Sequence, residues 1–145
     1  MATVRTILDR KGSHIHSVTP SASVLEAARL MNEHKIGALV VIEDGRAVGI
    51  FTERDVLQRV VAEGQDPKTA TVEQVMTREV AYCHSDTKLT EARGVFKNRR
   101  IRHLPVLDDE DRLVGMISIG DLNAYESHEQ ETTIRFLHEY LYGSV

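Results

Sequence analysis

The sequence predicts a mixed α/β (α+β) fold made of two copies of one β-α-β-β-α unit, followed by a C-terminal helix. Three observations carry this expectation. The chain aligns with itself: residues 18–42 lie on 83–107 at an offset of 65, and 46–56 lie on 112–122 at an offset of 66. Within each copy the apolar spacing alternates in the same order between helical and strand periods. Each copy also closes on the same junction, Gly49-Ile50-Phe51-Thr52-Glu53-Arg54-Asp55 in the first and Gly115-Met116-Ile117-Ser118-Ile119-Gly120-Asp121 in the second. Self-similarity at a fixed offset marks a duplicated structural unit.

The first copy begins with a short β-branched strand at 15–18. Ser23-Val24-Leu25-Glu26 is a capping-box signature that opens a helix. Val24, Ala28 and Met31 then fall at i, i+4, i+7 on one face, and Gly37 is suited to stop the helix. Residues 38–42 form a continuous apolar run of buried-strand length. Asp44-Gly45 is a hairpin turn, and 47–51 is the returning strand. Thr52 opens a second helix, with Val56, Val60 and Val61 as its apolar residues.

The second copy repeats this plan. Leu89, Ala92 and Phe96 form the helix stripe, 104–107 and 113–117 form the hairpin, and Asp108-Asp109-Glu110-Asp111 is its longer turn. Val4-Arg5-Thr6-Ile7-Leu8 matches Val72-Glu73-Gln74-Val75-Met76 upstream of each copy. The expected division is 6–64 for the first repeat, 65–71 for a polar linker carrying Asp66-Pro67, 72–128 for the second repeat and 129–145 for the C-terminal segment. Within that segment a last helix is expected over about 132–142. Ile134, Leu137 and Leu141 share one face, and Gly143 stops it. That face needs a partner, either the protein body or a second chain.

Composition narrows the function. Hydrophobic residues at 41% and charged residues at 28% describe a globular chain. A net charge of -4 argues against nucleic acid as a partner. A single cysteine, Cys83, excludes a disulfide framework within the chain, and a buried thiol is expected there. The absence of long apolar runs and of a secretory pattern at the N-terminus leads to the expectation of a soluble, cytoplasmic protein with no membrane partner. His14 and His16 share one face if their segment is extended, but two histidines do not complete a metal shell. With no Gly-rich phosphate loop and no nucleophile elbow, the chain reads as a non-enzyme.

The duplicated junction is the feature with chemical content. Thr52-x-x-Asp55 and Ser118-x-x-Asp121 each stand where a strand ends and a helix begins. Free N–H groups there attract an anion. The hydroxyl can donate to a ligand oxygen, and the carboxylate can accept from two vicinal hydroxyls such as those of ribose. The same four residues also make an acidic capping box that needs no ligand. Both roles can coexist.

Two in-register copies of this pattern closely resemble a tandem CBS-domain pair, or Bateman module. Ile101-Arg102-His103-Leu104-Pro105-Val106 and Val75-Met76-Thr77 add to the likeness, which runs over about 6–122. The resemblance implies two sheets packed face to face about a pseudo-twofold axis, two clefts between the repeats, and association into a disc-shaped homodimer. It also implies an adenosine-containing ligand (AMP, ADP, ATP or NAD) in those clefts. The candidate nucleotide-binding residues are Thr52, Arg54, Asp55, Gly37, Ala38, Ser118, Asp121, Arg102, His103, Leu104 and Pro105. Arg54 corresponds to Gly120, Gly37-Ala38 to Arg102-His103, and Val40 to Pro105, so the clefts are expected to differ in affinity. The expected function is a regulatory adenosine-nucleotide-binding module that signals through dimer geometry or through a protein partner the sequence does not name. The alternative is a dimeric interaction scaffold with degenerate clefts.

Overall fold

The computed structural model describes residues 1–142, so the stop expected at Gly143 lies outside the described residues. The element order is α1 (Val4–Lys11), β1 (Ser17–Val18), α2 (Val24–His34), β2 (Ala38–Glu43), β3 (Arg46–Thr52) and α3 (Glu53–Asp55). A π-helical stretch, Val56–Val61, continues α3. Then come α4 (Val72–Val75), β4 (Cys83–His84), α5 (Leu89–Arg99), β5 (His103–Leu107), β6 (Leu113–Ser118) and α6 (Ile119–Tyr142).

The duplication appears as two three-stranded sheets of the same topology, β1-β2-β3 and β4-β5-β6. In each, the short first strand is parallel to the second, and the second is antiparallel to the third. Equivalent residues pair in equivalent register: Val41 lies opposite Gly49, and Val106 opposite Gly115. The Asp44-Gly45 turn has φ of 51° and 77°, the double positive φ of a type I′ hairpin.

Helix ends follow local chemistry. The Ser23 hydroxyl accepts the Glu26 N–H at 3.0 Å and caps α2. The stop expected at Gly37 is instead made by Lys35, which adopts the left-handed conformation with φ 55°. Arg100, its repeat equivalent, does the same at the end of α5. Gly37 instead meets the start of α3: its carbonyl accepts the Glu53 N–H at 3.0 Å, and a Cβ there would stand 3.0 Å from Oε1 of the exposed Glu53 side chain. The buried face of α2 is Val24, Ala27 and Met31, so Ala27 replaces the expected Ala28. The α5 stripe of Leu89, Ala92 and Phe96 is buried as expected.

Of the apolar residues expected in the second helix, Val60 is buried and Val61 is 65% exposed. One other expectation is corrected. The last helix does not start near 132. It is the far part of α6, which runs unbroken from the second copy's junction. No proline lies between 119 and 142 and the one glycine, Gly120, is in the first turn, so the two segments fuse. Ile134, Leu137 and Leu141 remain exposed on it.

The leading helices cross over. α4 packs on the first copy, with Val72, Val75 and Met76 buried beside Val24, Leu39 and Phe51. α1 packs on the second copy, with Val4, Ile7 and Leu8 buried beside Leu89, Phe96 and Ile117. Backbone bonds fix both placements: Val4 N–H donates to Thr87 C=O, and Val72 N–H to Ala22 C=O, each at 2.9 Å. Gly49 and Gly115 make room for this packing. A Cβ on Gly49 would lie 2.7 Å from Met76 Sδ and 2.9 Å from the Thr77 carbonyl, and one on Gly115 would lie 2.8 Å from Leu8 Cδ2. At Gly49 the firm limit is the Thr77 carbonyl just past α4, and at Gly115 it is the Leu8 side chain of α1.

Candidate functional site

Thr52 ends β3 and caps α3. Its Oγ1 accepts the Asp55 N–H at 3.2 Å, and Asp55 Oδ2 accepts the Thr52 N–H at 2.9 Å. The second junction repeats this reciprocal pair. Ser118 Oγ accepts the Asp121 N–H at 3.0 Å, and Asp121 Oδ2 accepts the Ser118 N–H at 2.8 Å. The capping role of both motifs is thus realised.

Asp55 has further partners. It is 5% exposed, the Thr77 hydroxyl donates to its Oδ1 at 3.2 Å, and Arg59 Nε stands 3.9 Å from the same oxygen. Arg59 also donates to the Val75 and Met76 carbonyls at 3.1 and 2.9 Å, which satisfies the C-terminal end of α4. Asp55 is therefore a buried carboxylate held in a fixed orientation.

A cavity of about 420 Å³ opens beside this junction. Thr52, Glu53, Arg54, Asp55, Leu57 and Gln58 line one side. Gly37 and Ile50 come from the first sheet, and Ile101, Arg102 and His103 from the second copy. The remaining wall is the chain segment that follows α4: Thr77, Glu79, Val80 and Ala81. The cavity is thus shared between the copies, with apolar wall at Ile50, Val80, Ala81 and Ile101. Arg54 Nη1 donates to the Arg100 carbonyl at 3.4 Å, which ties the first junction to the end of α5.

The cavity brings together six of the residues singled out from sequence: Gly37, Thr52, Arg54, Asp55, Arg102 and His103. Ala38, Leu104 and Pro105 are buried strand residues that do not line it. Ser118 and Asp121 belong to the second junction. Asp121 borders a separate pocket of about 470 Å³ with Ile7, Arg10, Lys11, Ala124, Tyr125 and His128. Sequence reasoning did not assign site roles to Thr77, Glu79, Val80, Ala81 or Lys11. The signal for Thr77 was present, since it follows the Val75-Met76 pair in the repeat. Lys11 carried none, because no repeat position pairs it with a similar residue.

The electrostatics of the two sites meet at His103. Burial pushes its imidazole below the ordinary 6.5. Glu53 and Asp121 oppose that shift, while Arg102 and Lys11 add to it. His103 is therefore held toward its neutral form, and a carboxylate from each junction acts on it. Cys83 stands apart as a buried free thiol in β4, with burial raising it to about 12. The His14 and His16 rings lie 4.5 Å apart, and His16 stacks on His34 at 3.9 Å. Among the described residues no group of three His, Cys, Asp or Glu is arranged to hold a metal ion. No helix among them is long and apolar enough to cross a membrane.

Comparison with known proteins gives the same architecture. The family model of the CBS domain matches twice, over residues 4–62 and 72–128. The mitochondrial CBS domain-containing protein CBSX3 of Arabidopsis thaliana is 35% identical over 130 residues, covering 86% of this chain and 63% of that protein. The chain therefore spans less than two-thirds of that relative's length. A CBS-domain-containing protein of Agrobacterium tumefaciens has a crystal structure that superposes with a TM-score of 0.82 at 38% identity, covering 86% of this chain and 99% of that one. The CBS domain pair of protein MJ0100, solved in complex with 5′-methylthioadenosine and S-adenosyl-L-methionine, superposes with a TM-score of 0.77 at 28% identity, covering 89% of this chain and 98% of that one. With both repeats matched by the family model and the paired sheets superposing on such pairs, the chain belongs to the CBS-domain family as a tandem CBS pair.

Proposed function

We propose that the chain is a regulatory module that binds an adenosine-containing ligand (AMP, ADP, ATP or an NAD-type dinucleotide) in the cavity beside Thr52 and Asp55. The observation that carries this reading is the placement of Asp55. Asp55 is among the residues lining a cavity of about 420 Å³, a volume within the usual range for small-molecule sites. A carboxylate has about four acceptor positions. The Thr52 N–H and the Thr77 hydroxyl take two, which leaves about two for the vicinal hydroxyls of a ribose. Ile50, Val80, Ala81 and Ile101 offer apolar surface for a base. Arg54 and Arg102 supply cationic charge for phosphate. The complex of the MJ0100 pair with two adenosine-containing ligands supports the same ligand class.

The module acts by binding, and its output passes to another protein or through its own assembly. α6 exposes Ile134, Phe136, Leu137, Tyr140 and Leu141, a surface suited to a second copy of the chain. A ligand biases such an assembly through unequal affinity for its states. The same exposed helix favours the second reading, an interaction scaffold whose clefts bind nothing. Mass spectrometry of small molecules released on denaturing freshly purified protein separates the two. Release of an adenosine compound in stoichiometric amount is expected. A clean blank, together with no heat on titration with AMP or adenosine, would leave the scaffold reading.

A further inference from the structure

The two junctions solve the same hydrogen-bonding problem with different donors. In the first, α4 ends at Val75 and the chain turns extended at Met76, with ψ 161°. Thr77 then bridges Ile50: its N–H donates to the Ile50 carbonyl at 2.8 Å, and its carbonyl accepts the Ile50 N–H at 3.0 Å. The Thr77 hydroxyl reaches Asp55. In the second, α1 does not stop at the matching place. It runs on to Lys11, a turn past the position equivalent to the end of α4. Lys11 Nζ donates to the Met116 carbonyl at 3.0 Å and to Asp121 Oδ2 at 2.7 Å. Met116 and Asp121 are the repeat equivalents of Ile50 and Asp55. One ammonium group therefore replaces both donors of Thr77, and it brings a full positive charge.

From this we infer that Lys11 is a latch that closes the second cleft to a ribose-bearing ligand, so that the chain binds one such ligand, at the first junction. The inference rests on the proposed adenosine binding and adds which cleft is used and what decides it. In the first cleft the carboxylate's hydrogen-bond donors are the neutral Thr52 N–H and Thr77 hydroxyl, and the nearest cation, Arg59, stands off at 3.9 Å. In the second, the charge is neutralised by a contact of 2.7 Å. An entering diol would have to displace an ammonium from a charge-assisted hydrogen bond. Neighbouring contacts hold α1 in place for this: Arg10 pairs with Glu129 at 3.2 Å, and its guanidinium lies 4.7 Å over the Tyr125 ring. Opening the latch thus also loosens the tie between α1 and α6.

Calorimetric titration with adenosine and with AMP tests this on the full chain. The variants are Lys11→Ala, Lys11→Gln and Lys11→Ala combined with Asp121→Asn. The parent is expected to show one binding event per chain. Lys11→Ala and Lys11→Gln are expected to show two, and Asp121→Asn is expected to remove the added one. Lys11 is at an exposed helix end, and melting curves recorded in parallel check that each variant is folded. No added event in either Lys11 variant overturns the latch, as does a parent that already binds two ligands with equal affinity. Loss of affinity on removing Lys11 overturns it as well, since Lys11 would then be a ligand-binding cation. Failure of the underlying reading looks different. A parent that binds neither probe removes adenosine binding at the first junction, while an event that appears only without Lys11 would still uphold the latch.

Discussion

Gly49→Ala tests the crossed packing of the leading helices, on which the whole site depends. The added methyl would stand 2.7 Å from Met76 Sδ and 2.9 Å from the Thr77 carbonyl oxygen. The sulfur is on a flexible side chain and can yield. The carbonyl cannot, because it is bonded to the Ile50 N–H in the bridge that forms the cavity edge. Overpacking of this kind costs about 1–3 kcal/mol. Against it stands the conformational gain of replacing a strand glycine, about 0.5–1 kcal/mol. The net expectation is a destabilised protein, and a loss of 1 kcal/mol lowers Tm by about 2–4 °C at this chain length. Gly115→Ala is expected to cost less, because its new methyl meets only the end of the Leu8 side chain, at 2.8 Å. Gly94 in α5 is the internal control. A Cβ there meets nothing within 4 Å, so Gly94→Ala should stabilise by about 1 kcal/mol through helix propensity. Thermal melting of the three variants gives the ranking. A Gly49→Ala protein as stable as the parent would refute the close approach of the 76–77 segment to β3.

Two further expectations follow from buried groups. Cys83, raised to about 12 by burial, is a thiol at pH 8, so the native protein should react with an alkylating reagent far more slowly than the denatured chain; equal rates would contradict the packing of β4. The folded pKa of His103 lies below its unfolded 6.5, so the unfolded state takes up more protons as pH falls. Its contribution to stability is then full above about 6.5 and is lost as pH falls through the folded value. Denaturant titrations between pH 7 and 5 should show a shallower decline for His103→Gln than for the parent, and parallel declines would contradict the assignment.

Much of this architecture is written in short-range chemistry. The hairpin turn at Asp44-Gly45, the Ser23 cap and the α5 stripe depend on residues within one or two turns of each other, and the structure has them as the sequence indicates. The duplication supplied the pairing of the two junctions, because equivalent residues occupy equivalent geometry. What the sequence did not reveal depends on contacts between segments far apart. Gly37 reads as a helix stop, yet the stop falls at Lys35, and Gly37 instead accepts the Glu53 N–H across the β2–β3 hairpin. The helix that Thr52 opens continues as a π-helical stretch over Val56–Val61, and no periodicity announces it. Lys11 carries no local sign of a site role, since a cation in the last turn of a helix is a common and favourable arrangement. It meets Asp121 only because α1 crosses to the other copy, a placement that local pattern does not encode.

Binding at the first junction is the central claim, and Asp55→Asn addresses it most directly. The substitution keeps the side chain's shape and one acceptor oxygen but removes the charge and one acceptor of the proposed diol contact. Charge-assisted hydrogen bonds contribute about 1.5–3 kcal/mol, and each 1.4 kcal/mol is tenfold in affinity. Calorimetric titration with AMP, with melting curves in parallel to give affinity per folded molecule, should show Asp55→Asn binding about ten- to a hundredfold more weakly than the parent. An Asp55→Asn protein that melts at a lower temperature yet binds AMP as the parent does would leave Asp55 as a helix cap alone and contradict the ribose assignment.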